Sequence, residues 1–97
     1  MIEAIKKLNI KGYHYDPETE DKLGSIFFIS DDTEDDWVRI SNIPSDKMLA
    51  ILVVTFVKGC EDVKLKVREW ENDLTWVTED YHTETFENWL NEEIKTL

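Results

Sequence analysis

The sequence predicts an α+β fold: an antiparallel five-stranded sheet with helices packed on it, in the order helix, three strands, helix, two strands, helix. Three observations carry this. Alternating apolar runs come in pairs joined by polar turns, which is the pattern of hairpins. Amphipathic stretches at helical spacing open and close the chain. With 97 residues, it forms one domain around one core.

Ile2, Ile5 and Leu8 recur every three residues around Lys6 and Lys7, giving a short helix that ends before Gly12. Tyr13-His14-Tyr15 is extended, with both tyrosines on one face, and Asp16-Pro17 starts a turn because proline pushes the preceding residue away from helix. Ser25 to Ile29 is apolar on both faces and reads as a central strand. Trp37 to Ser41 alternates and pairs back on it, so the intervening Asp31-Asp32-Thr33-Glu34-Asp35-Asp36 is the hairpin loop.

Pro44-Ser45-Asp46 resembles a helix start and Lys58-Gly59 a helix stop. The Met48–Val57 run between them suits a buried strand through its β-branched residues, but its length and two caps favour a helix. Such a helix is apolar nearly all round, so one sheet cannot cover it. A homodimer through Met48, Leu49, Leu52, Val53 and Phe56 is the expected consequence. Val63, Leu65 and Val67 then alternate with Lys64, Lys66 and Arg68, a half-buried strand with a basic outer face. It turns at Glu71-Asn72-Asp73 into a partner strand, Leu74 to Thr78. Thr83 starts a last helix with Phe86, Trp89, Leu90, Ile94 and Leu97 on one stripe.

Composition excludes several classes. Hydrophobic content of 41% with four Trp is too high for a disordered acidic tail. Residues 16–36 carry −8 and residues 61–97 carry −7 of a total of −11, which leaves no basic face for nucleic acid or anionic membrane. Cys60 is the single cysteine, so no internal disulfide forms, in keeping with a reducing compartment. Met1 to Lys7 has its charges in the wrong order for a secretory signal, and no apolar run reaches the roughly 20 residues of a membrane span. A soluble, cytoplasmic protein is expected.

Gly12-Tyr13-His14-Tyr15, Gly24-Ser25-Ile26-Phe27-Phe28, Trp37-Val38-Arg39-Ile40 and Val63-Lys64-Leu65-Lys66-Val67, in this order and before a closing amphipathic helix, resemble the YbjN family within the type III secretion chaperone-like fold. The resemblance implies a compact acidic protein, dimeric through its second helix, that binds other proteins and catalyses nothing.

No phosphate loop, nucleophile elbow or His-Glu-x-x-His pattern is present, and Cys60 has no histidine near it in sequence. No enzyme activity and no cofactor are expected. His14 and His82 lie beside acids but lack ligand spacing, so no metal is expected either. Asp31, Asp32, Glu34, Asp35 and Asp36, with Trp37 and Trp70 as aromatic anchors, are the candidate partner-binding residues. The acidic block also fits a solvated loop, and it lacks the glycine and spaced Asp/Asn pattern of a calcium loop. Extended carboxylates on one face repeat at roughly 7 Å, close to the phosphate spacing of a nucleic-acid strand. The expected function is therefore a non-enzymatic, chaperone- or adaptor-like protein-binding module; the alternative is an acidic inhibitor of a nucleic-acid-binding protein.

Overall fold

A computed structural model describes residues 1–19, 24–45, 49–71 and 74–97. Helix α1 (Ile2–Lys6) leads into strands β1 (Tyr13–Asp16), β2 (Ile26–Ser30), β3 (Trp37–Ser41), β4 (Ala50–Lys58) and β5 (Glu61–Trp70). These five form an antiparallel meander in sequence order. Strands β6 (Thr75–Val77) and β7 (Thr83–Thr85) pair separately, and helix α2 (Phe86–Lys95) follows. The α+β class and the five-stranded antiparallel sheet are those expected. The acidic block lies between Ser30 and Trp37, as the hairpin pattern requires.

The central apolar run departs from expectation: Ala50 to Lys58 is strand β4, not a helix. Ile51, Val53, Val54, Thr55 and Val57 are β-branched and lose side-chain freedom on a helix, while β3 and β5 supply hydrogen-bonding partners on both sides. The supposed helix stop is a hairpin turn. Lys58 pairs with Glu61 across Gly59 and Cys60, whose φ values of 60° and 64° suit a two-residue primed turn. On the start side, Asp46 to Met48 lie outside the described residues. Leu52 and Phe56 are buried in the core of a single chain, so they cannot face a second one. The helix through which the resemblance would have the protein dimerise is this strand.

Strand β5 also turns inward the face that the sequence pattern assigns to the outside. Lys64, Lys66, Arg68 and Trp70 point to the same side as Phe56, Val54, Leu52 and Ala50, their register partners. That side carries the core, which also takes in Ile26, Phe28, Val38, Ile40, Ile5 and Ile10. Helix α2 lies over it. Trp70 meets Phe86 edge-on at 5.4 Å between centroids and Trp89 at 5.8 Å, and Leu90 is fully buried beside them. The three cations on this side are held by acids of α2 and β7: Glu93 of α2 takes Lys64 and Lys66 at 3.4 and 3.7 Å, while Glu84 of β7 takes Arg68 at 3.3 Å. Their alkyl stems cover apolar surface while the charged heads reach these carboxylates. The guanidinium of Arg68 also sits 5.3 to 5.8 Å from the rings of Trp70, Trp76 and Trp89.

Strand β6 does not return beside β5; it pairs with β7, Thr75 opposite Thr85. Thr83 therefore belongs to a strand, and the α2 cap is Thr85, whose hydroxyl accepts from Asn88 N at 3.1 Å. Asn91 joins α2 to the α1–β1 link: its amide donates to Asn9 O at 3.0 Å and its oxygen accepts from Lys11 N at 2.8 Å.

Replacing Phe86 with Ala should cost about 3–5 kcal/mol in urea unfolding, because a fully buried ring at the α2 contact is lost. Thr55 is buried on β4 with its hydroxyl unpartnered among the described residues. Thr55→Val removes that group and should raise stability by about 1 kcal/mol, read as a higher melting temperature.

Candidate functional site: an open sheet face and an acidic end

Alternation along the strands assigns the second face of the sheet. On it lie Phe27 and Ile29 of β2, Trp37 and Arg39 of β3, Ile51, Val53, Thr55 and Val57 of β4, and Leu65, Val67 and Glu69 of β5. No described helix covers its β4–β5 half. Leu49, Ile51, Val63, Leu65 and Val67 remain 59, 45, 54, 61 and 59% exposed, whereas Thr55 and Val57 on the same face are buried among their neighbours. Scattered exposed apolar residues are normal, but a contiguous group on one sheet marks an interaction surface. Sequence reasoning placed Val63, Leu65 and Val67 in the core; the alternation was legible, but the side on which α2 would pack was not.

The expected site residues separate. Trp70 is buried beneath α2. Trp37 is half-buried on the open face, beside Ile29 and Val57. Among the expected dimer residues, Val53 is on the open face and Leu49 is exposed next to it, whereas Leu52 and Phe56 are in the core and Met48 lies outside the described residues.

Asp31, Asp32, Glu34 and Asp35 are exposed and Asp36 half-buried at one end of the sheet. The loop is clamped by its neighbours. Ser30 N donates to Asp36 O and Asp31 N to Gly12 O, both at 2.9 Å, and Cys60 N donates to Asp35 O at 2.8 Å. Gly59 N donates to the Asp36 carboxylate at 2.8 Å, so the β4–β5 turn, with Glu61 and Asp62 just beyond, is tied to the acidic loop. His14 on β1 meets Asp31 at 2.7 Å. Beside this pair a shallow depression of about 420 Å³ is lined by Asp16, Glu18, Asp31, Asp32 and Glu34 among others. Carboxylates distant in sequence thus converge at one end of the sheet, a grouping that only the strand order produces.

Cys60 is exposed, and its thiol lies 3.4 Å from the Asp35 carboxylate. The hydrogen bond to Asp35 first, with the charges of Asp35 and Asp36 adding to it, raises the thiol pKa above its ordinary value. A raised pKa lowers the thiolate fraction at neutral pH, the reverse of what a nucleophile needs. Tyr13 is likewise raised, by burial and then by Asp36. Among the described residues no three His, Cys, Asp or Glu side chains are grouped to hold a metal ion, and no helix is long and apolar enough to cross a membrane.

Compared with protein-family models, curated proteins and solved structures, the chain matches none.

Alkylation of Cys60 by iodoacetamide should be slower at pH 7.5 than that of a free thiol and rise into the alkaline range, since protonation is lost only as pH climbs through the raised pKa. Asp35→Asn should accelerate it; an unchanged pH profile in that variant would contradict the assigned cause.

Proposed function

We propose that the protein is a non-enzymatic protein-binding module, adaptor- or chaperone-like, that docks through the open face of its sheet. The observation that carries this reading is the run of exposed Ile51, Val63, Leu65 and Val67 on the face opposite the one that holds the core. Each of these side chains is worth roughly 1–2 kcal/mol when a partner removes it from water.

The clamped acidic end favours a second reading, an inhibitor that occupies the basic site of a nucleic-acid-binding protein. Asp31, Asp32, Glu34 and Asp35 are exposed on a loop held by backbone hydrogen bonds, which lowers the entropy cost of presenting them. Binding of that kind weakens steeply with salt, whereas apolar docking does not.

Pull-down from the native cell at low and high salt separates the two readings. Leu65→Thr with Val67→Thr should abolish capture of the partner, while neutralising Asp31, Asp32, Glu34, Asp35 and Asp36 to Asn or Gln should leave it nearly intact at either salt. A salt-labile nuclease or polymerase lost only with the neutralised loop would establish the inhibitor instead.

A further inference from the structure

We infer that the open sheet face takes a second copy of this chain, face to face, as a two-fold symmetric sandwich. The inference rests on the reading of that face as a docking surface and names its occupant.

Leu49, Ile51, Val63, Leu65 and Val67, at 45 to 61% exposure, each leave roughly 100 Å² open, on the order of 500 Å² together. Half-buried Phe27, Ile29, Trp37 and Val53 extend the patch. A stable interface takes about 800 Å² per partner, with the low end near 600 Å². The patch lies at the upper end of what a monomer exposes, and only with its half-buried margin does it approach the low end of an isologous dimer interface.

Across β3, β4 and β5 the face carries Arg39 and Glu69, one charge of each sign, with Asp62 at its acidic margin. A copy carrying −11 would be repelled if the two acidic ends met. A two-fold axis in the interface plane, running across the strands, places those ends at opposite extremes of the sandwich. The molecule spans 37 by 29 by 20 Å, so such ends lie well beyond the screening length of about 8 Å at physiological salt.

Pairing of two copies along the outer edge of β5 is disfavoured. The outer edge of β5 pairs with no strand of the five-stranded sheet. Edge-to-edge antiparallel pairing that brings Val63, Leu65 and Val67 beside their own copies also sets Lys64, Lys66 and Arg68 against theirs. Like charges directly opposite destabilise such a ladder. Sheets stacked face to face about 10 Å apart keep those cations on the far side, under α2.

Sedimentation of the purified chain, from about 5 to 200 μM, should show a monomer–dimer equilibrium within this range. Leu65→Thr with Val67→Thr should weaken it at least tenfold, and so should Ile51→Thr on the neighbouring strand. Threonine keeps β propensity at these exposed positions, and far-UV circular dichroism confirms folding. Val77→Thr, exposed on β6 away from the face, should dimerise like the parent. A wild-type chain that stays monomeric across the range overturns the inference, as does a dimer that survives all three face substitutions. A monomer whose partner capture still depends on Leu65 and Val67 overturns the second copy and leaves the binding-module reading standing. A dimer whose face variant captures the same foreign partner keeps the dimer and removes the open face as the module's docking surface.

Discussion

The contact of Trp70 with Phe86 and Trp89 decides which side of the sheet is inside. Trp70 ends β5, and period-2 alternation commits Arg68, Lys66 and Lys64 to whichever side Trp70 takes. Once the indole is buried under α2, those cations come with it, and Val63, Leu65 and Val67 are left facing out. The arrangement holds because α2 supplies Glu93 and β7 supplies Glu84 at the required places. Three indoles around Arg68 add attraction where a bare charge would be costly to bury.

That choice organises the rest of the molecule. The covered side holds nearly all the buried apolar residues, with α1 and α2 closing it. A chain of this length has no further described helix for the other side, so the surface that is open follows from the surface that is closed. The acidic loop is displaced to the end of the sheet, where the β4–β5 turn and β1 hold it by main-chain bonds. Apolar area and negative charge are thus separated in space: one lies on a face, the other at a margin. The two readings of function differ in which of these carries the binding energy.

Much of the fold was legible in the sequence. The β2–β3 hairpin, the tyrosines of β1 sharing a side and the apolar stripe of α2 follow from local periodicity and are found as expected, except that Leu97 lies exposed beyond the end of the helix. The run from 48 to 57 was not legible, because a continuous apolar segment has no period with which to separate helix from buried strand. Gly59 was ambiguous for a related reason: a positive φ ends a helix and turns a hairpin equally well. Cys60 at φ 64° completed the hairpin turn, a conformation that sequence does not announce for cysteine. For the candidate site, the acidic loop was visible as composition, but its joining to Glu61 and Asp62 required the meander.

By itself the sequence determined the α+β class, the alternating strands, the acidic character and the amphipathic last helix, since all are set by neighbours a few residues apart. Only the tertiary structure decided that the central apolar run is a strand and that β5 turns its lysines inward and its valines outward. Alternation distinguishes the two faces of a strand without saying which is covered. That is settled by a helix packing from 16 residues or more away, where Phe86 and Trp89 meet Trp70.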